Sequence, residues 1–177
     1  MLRAQIRALR EAGADGFVIG CLTADGALDE AAMRPLLDAC AGCGITLHRA
    51  IDVSRDPLET WRTAGKLGID TVLTSGAAGS CLAGEETILR LLATQKAEGG
   101  PEILIGAGVN AAVITHFRSL SSDAQSFHMS GKADIPSRMR FRRDGVPMGL
   151  PGFDEWHTSQ TSAEKVRAAR HALDAAL

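Results

Sequence analysis

Aromatic residues are scarce in this sequence: they make up 4% of the 177 residues, and tyrosine is absent. Proteins that bind single-stranded nucleic acid stack bases on aromatic side chains, so a surface of that kind is not expected. An excess of charge is also lacking, because 19 basic and 21 acidic residues give a formal net charge of −2. The composition therefore predicts neither a nucleic-acid partner nor an anionic membrane as a partner.

Long apolar runs are missing as well. No run approaches the roughly 18 residues that a membrane-spanning helix requires. The first residues, MLRAQIRALREAGADG, carry charges throughout and lack the apolar centre of a signal peptide. We therefore expect a cytoplasmic protein whose four cysteines are free thiols in a reducing compartment.

The spacing of Cys40 and Cys43 matches the CxxC pattern of redox and zinc sites. Both residues, however, lie at the end of a predicted helix and before a strand, away from the edge where ligands bind. No second pair completes a four-ligand set. We expect these two cysteines to pack in the interior.

Short apolar runs alternate with helical periodicity along the chain. The strand-like runs are 16–22, 45–51, 70–76, 102–108 and 125–131. The helical stretches are 29–41, 56–67, 84–98, 110–120 and 162–175. This alternation predicts βα units, a parallel sheet of about five strands and a single domain over residues 1–177.

Two segments do not fit the alternation simply. Pro35 falls inside the second helical stretch and predicts a kink or a late helix start. Residues 131–160 have no clear periodicity and are rich in glycine and proline. We expect a long loop there, and loops of that length are usually functional or mobile.

Polar and small residues gather where the predicted strands end. The carboxyl ends of parallel strands meet at one edge of the sheet, where α/β proteins bind their ligands. The candidate site residues at this edge are His48, Arg49, Asp52, Thr74, Ser75, Gly106, Gly108, His128 and Ser130.

Strand alternation suggests a role for each group. His48 is expected on the interior face of the sheet, as an acid–base group oriented by Asp52, or alternatively as a buried structural histidine. Arg49 is expected to pair with Asp52 or with a ligand anion. The turn from Gly106 to Gly108 could hold a phosphate or carboxylate, or be only a tight connection.

The sequence contains few metal-ligand candidates. Cys21 follows the first strand at the ligand-binding edge and is the candidate metal ligand, although no spacing requires a metal. Cys81 lies in the loop after the third strand. His116, His157 and His171 are expected on the surface.

Several stretches resemble the CutC copper homeostasis family, in order and over nearly the whole chain. They are GADGFVIGCLTADGALD, ITLHRAID, TVLTSG, ILIGAGV, FHMSG and MRFRRDG, followed by DEWH and the final helix. The resemblance implies a (β/α)8 TIM barrel, a cytoplasmic location, a role in copper tolerance with Cu(I) as the proposed ligand, and oligomers in several members.

The resemblance also implies that the five strands correspond to family strands four to eight. We would then expect an N-terminally truncated member with an incomplete barrel, lacking the early strands that carry the cysteines proposed for copper. In this chain the donors near the predicted site are Cys21, His128 and Met129.

Three functions remain open at this point. The first is a CutC-type role in copper homeostasis, by binding Cu(I) or indirectly. The second is a barrel enzyme acting on a small anionic or phosphorylated metabolite, and the third is a remnant without independent function. The expected partners are a small-molecule or metal ligand and, as an assembly, a homo-oligomer.

Overall fold

The computed structural model describes residues 1–143, 145–150, 152 and 154–175, and its centre is a parallel sheet. The strands are β1 (Gly16–Ile19), β2 (Gly44–Leu47), β3 (Thr71–Thr74), β4 (Glu102–Ile105) and β5 (Ser126–Phe127). They lie in the order β1-β2-β3-β4-β5, and every neighbouring pair is parallel. The prediction of an α/β fold with about five parallel strands is confirmed.

Six α-helices are found in the described ranges. They are α1 (Leu2–Glu11), α2 (Glu30–Ala39), α3 (Pro57–Lys66), α4 (Glu85–Glu98), α5 (Ala111–Leu120) and α6 (Ala163–Asp174). A short 3₁₀ helix, Arg49–Val53, follows β2. None of the helices described is long and apolar enough to cross a bilayer.

Side-chain caps fix where most of these helices begin. Asp56 accepts hydrogen bonds from the backbone N–H groups of Leu58 and Glu59 at the start of α3. Equivalent caps are Asp29, Asn110 and Ser162. Because Asp29 caps α2, the helix begins at Glu30 and continues through Pro35, so a late start at this proline is wrong.

The segment after the sheet differs from the prediction. Phe127 ends β5, so the expected strand 125–131 is much shorter. Strands β6 (Lys132–Pro136) and β7 (His157–Thr161) then pair as an antiparallel hairpin within the expected loop 131–160. The hairpin was missed because almost all of its side chains are exposed, and an exposed strand shows no apolar alternation.

The core lies on one face of the sheet. Alternate strand residues, such as Leu47, Val72 and Ile105, are fully buried and belong to one apolar cluster with residues of the helices. Trp61 and Phe117 are the largest fully buried side chains from the helical layer. This face anchors the strands and therefore fixes the positions of their carboxyl ends.

The opposite face of the sheet is largely open. Its residues alternate with the buried set, and Val18 there is 62% exposed, while Leu73 and Leu104 are half-buried. A closed barrel would turn this face inward. The five strands thus form an open section of sheet whose inner face reaches solvent.

Candidate functional site

A pocket of about 310 Å³ lies at the carboxyl ends of the strands. We call it the mouth pocket, and its lining residues are Arg49, Leu73, Ala107, Gly108, Val109, His128, Met129 and Ser130. Four of the predicted site residues thus come together at this point, from the segments that follow three different strands, β2, β4 and β5. They are Arg49, Gly108, His128 and Ser130.

Arg49 is held in place from one side. Its Nε atom donates to Asp52 at 2.6 Å, and its Nη2 atom donates to Ser75 Oγ at 2.6 Å and to the Ala78 carbonyl at 3.3 Å. Within the described part of the chain, Nη1 makes no hydrogen bond or ion pair. The side chain is 46% exposed, so a fixed guanidinium presents one free edge at the pocket.

Asp52 lies beneath Arg49 and does not line the pocket. Its side chain is only 4% exposed. Besides Arg49, it accepts hydrogen bonds from the Thr74 hydroxyl at 2.6 Å, from the hydroxyl and backbone N–H of Ser75, and from the Ala77 backbone N–H at 3.1 Å. This carboxylate therefore joins the loop after β3 to the 3₁₀ helix after β2.

The pKa of Asp52 is lowered by this environment. Burial raises the pKa of the carboxyl group, but hydrogen bonds from Thr74, Arg49 and the backbone outweigh it and bring the pKa below 3.8. Asp52 is therefore ionised at neutral pH, and its charge fixes the orientation of the Arg49 guanidinium.

The expected pair of His48 and Asp52 is not formed. His48 caps the 3₁₀ helix, and its Nδ1 atom accepts a hydrogen bond from the Ala50 backbone N–H at 3.1 Å. Its ring packs beside Gly20, where an added Cβ would come within 2.6 Å of His48 Cε1. Asp52 bonds to Arg49 instead, because the turn of the 3₁₀ helix carries the carboxylate towards β3.

Three other predicted residues lie behind the pocket wall. Thr74 and Ser75 are fully buried and bond to Asp52. Gly106 is packed so closely that an added Cβ would lie 2.6 Å from Leu73 Cδ1. These residues shape the site, and their direct contact with a ligand stays a prediction that the geometry does not favour.

The turn after β4 was predicted only in outline. Ala107 and Gly108 both adopt positive φ angles, of 71° and 87°. Only glycine takes that conformation at no steric cost, so Ala107 is strained. Ala107, Leu73 and Val109 complete the wall. Ala107 and Val109 lie in or next to the predicted turn, whereas nothing in the sequence around Leu73 indicates a place in the pocket.

His, Cys, Asp and Glu side chains are possible metal donors in this chain. In the described residues, no three His, Cys, Asp or Glu side chains lie together in a way that could hold a metal ion. The four cysteines are free, and burial raises the pKa of the Cys40 and Cys81 thiols, which disfavours the thiolate that metals bind. Cys21 lies two residues after the end of β1, at the opposite edge of the sheet from His128, which follows β5.

Comparison with known proteins identifies relatives over most of the chain. The CutC family model matches residues 1–133. A family protein CutC from Chromobacterium violaceum is 38% identical, over 97% of this chain and 68% of its own length. One from Porphyromonas gingivalis is 40% identical, over 93% of this chain and 65% of its own length.

A solved structure shows the same architecture. A CutC protein from Streptococcus agalactiae, provisionally named for copper homeostasis, superposes with a TM-score of 0.63 at 25% identity. The match covers 71% of this chain and 60% of that one. The chain spans about two thirds of the length of its curated relatives. By sequence and by a TIM-barrel-like fold, the chain belongs to the CutC family.

Proposed function

We propose that the protein has a CutC-type role in copper homeostasis. The observation that supports this role is the family match over residues 1–133, together with the name of the Streptococcus agalactiae relative. The role predicts that loss of the protein makes its host more sensitive to copper. Copper tolerance of a deletion strain, with and without the gene restored, tests this directly, and unchanged tolerance would reject it.

The donor set bears on how copper would be involved. Cu(I) prefers thiolate, thioether and imidazole ligands, and His128 and Met129 both line the mouth pocket. Cys21 follows β1, whereas His128 and Met129 follow β5, four inter-strand spacings of about 4.8 Å away. One ion cannot bridge that separation. The described residues therefore do not form a closed copper site. Two routes to the proposed role remain: the protein binds Cu(I) transiently as cargo, or it acts on copper tolerance indirectly through another ligand.

Titration separates these two routes. The protein is titrated with Cu(I) under reducing conditions against a competing chelator, beside the variants Met129→Leu and, as a matched control, Met148→Leu. If the protein binds Cu(I) directly, we expect stoichiometric binding that Met129→Leu weakens and Met148→Leu does not. Binding no tighter than about micromolar would exclude the direct route.

A second candidate function is the binding of a small anionic metabolite at the mouth pocket. It is supported by the Arg49 guanidinium, which Asp52 and Ser75 hold with one edge free, in a pocket where none of the described lining residues is acidic. If a reaction follows binding, His128 is the acid–base candidate in place of His48, because His128 lines the pocket.

Thermal-shift and calorimetric measurements with inorganic phosphate test this candidate. We expect phosphate to stabilise the protein, and Arg49→Gln to remove that stabilisation. Arg34→Gln, an exposed arginine on α2, is the matched control and should behave like the parent protein. Equal responses of the parent and Arg49→Gln would dismiss the candidate.

A further inference from the structure

A second pocket, of about 460 Å³, adjoins the mouth pocket. The two share Gly108, Val109, Met129 and Ser130, so they are parts of one groove. The second pocket continues between the start of α5, the start of the β6–β7 hairpin and α6, where Lys132 and Lys165 line it. We call this part the lysine pocket.

Charges along the groove have one sign. Among the described residues, the ionisable side chains that line the two pockets are Arg49, His128, Lys132 and Lys165, and none of the described lining residues carries a carboxylate. The chain as a whole has a formal net charge of −2, so this cationic lining is local. Arg49 lines only the mouth pocket and the lysines line only the lysine pocket, with uncharged shared residues between them.

Lys165 places a positive charge where it does not stabilise its own helix. It lies in the first turn of α6, where its backbone N–H donates to the capping Ser162. A cation in the first turn opposes the helix dipole, which favours negative charge there. Its Nζ atom donates to the Lys132 carbonyl at 2.6 Å, which holds the ammonium group against the hairpin. An anion in the lysine pocket would offset the unfavourable interaction between the Lys165 charge and the helix dipole.

We propose that the groove binds a small metabolite with two separated anionic groups, one at Arg49 and the other at Lys132 and Lys165. This inference rests on the anion-binding candidate above and names its ligand class. The two cationic ends of the groove would select ligands by the spacing of their anionic groups, because a ligand with a single anionic group contacts only one end. Ala111 and Ala112, at the start of α5, also line the lysine pocket, where the positive end of the helix dipole adds to its positive potential.

Calorimetry with three probes tests the proposal. The probes are inorganic phosphate, glycerol 3-phosphate with one anionic group, and 3-phosphoglycerate with a phosphate and a carboxylate. We expect 3-phosphoglycerate to bind at least about tenfold more tightly than either other probe, which corresponds to about 1.4 kcal/mol. Arg49→Gln and the double variant Lys132→Gln/Lys165→Gln should each remove that advantage.

Matched controls are Arg34→Gln on α2 and Lys66→Gln on α3, which remove the same charges far from the groove. All of the substituted side chains lie at exposed positions, and circular dichroism confirms that each variant is folded. If phosphate binds through Arg49 but 3-phosphoglycerate gains nothing, the two-ended groove is wrong and the anion-binding candidate stands. If none of the probes binds, both are wrong.

Discussion

Asp52 illustrates how one buried carboxylate organises this site. It gathers hydrogen bonds from Arg49, Thr74, Ser75 and Ala77, which belong to two connections that are distant in sequence. From the sequence, a pairing of Asp52 with Arg49 is one of the two expectations for that arginine. The other partners could not be predicted, because they depend on how the 3₁₀ helix turns after β2. The same residue therefore acts on stability and on the orientation of Arg49.

Replacing Asp52 by asparagine should destabilise the protein by about 2 kcal/mol, since buried donors lose a charged acceptor. The folded-state pKa of Asp52 is lowered, so its contribution is complete above the ordinary value of 3.8 and is lost as pH falls through the folded-state value. The difference in unfolding free energy between the parent and Asp52→Asn should be constant near neutral pH and shrink below about pH 4.

Urea unfolding between acidic and neutral pH measures this difference. Asp38→Asn, at an exposed position on α2, is the control and should leave the unfolding free energy nearly unchanged. A gap between the parent and Asp52→Asn that widens in acid would contradict the assigned direction of the pKa shift.

Ala107 has a conformation that costs free energy. With a φ of 71°, its Cβ lies close to the backbone, at a cost of about 1–2 kcal/mol relative to an ordinary conformation. Ala107→Gly removes this strain, and we expect the net stability to rise by about 0.5–1 kcal/mol. Urea unfolding checks it, with Ala93→Gly in the interior of α4 as the control, which should lose about 1 kcal/mol.

At the scale of elements, the sequence predicts the helices well. Each predicted boundary lies within two residues of the observed one, because Asp56, Asn110 and Ser162 are caps whose chemistry is local. The hairpin of β6 and β7 could not be predicted in the same way. Its stability comes from a backbone ladder between residues some 25 positions apart, and its exposed side chains carry no pattern.

In the candidate site, too, some residues can be predicted from the sequence and others depend on tertiary packing. The carboxyl ends of the parallel strands bring Arg49, His128 and Ser130 together, as the topology requires. Lys165 comes from the first turn of α6, and nothing in its sequence context indicates a position beside Gly108. Its place depends on the packing of α6 against α5, which is a tertiary property.

The hairpin should unfold before the core, because it buries little apolar surface. The two tryptophans report on the two parts. Trp61 is 1% exposed and donates to the Pro101 carbonyl, whereas Trp156 lies by the hairpin with the Arg142 guanidinium 4.4 Å above its ring. We expect the Trp156 signal to change at lower urea concentration than the Trp61 signal.

The variant Trp156→Phe isolates Trp61, and subtraction from the parent protein gives the Trp156 signal. Far-UV circular dichroism reports mainly on the helices of the core, so it should change together with the Trp61 signal. Coincident transitions for both tryptophans would show that the hairpin is part of the core's cooperative unit.

At the scale of the whole molecule, the sheet is covered on only one face. Its open face carries Val18, Leu73 and Leu104, and β1 and β5 are edge strands in the described sheet. Edge strands and an exposed apolar face favour association with another chain. The expected homo-oligomer stays a prediction, and this face is the surface that we expect it to use.

The prediction is that the purified chain self-associates with rising concentration, and that Val18→Lys weakens the association. Burying a valine side chain contributes about 1.5–3 kcal/mol, so a lysine at each copy's contact should raise the dissociation constant at least about tenfold. Light scattering after size exclusion measures it. Leu120→Lys, at an exposed apolar position at the end of α5, is the control for the added charge. A monomer at all concentrations, or an equal effect of both substitutions, would show that the open face is not the contact.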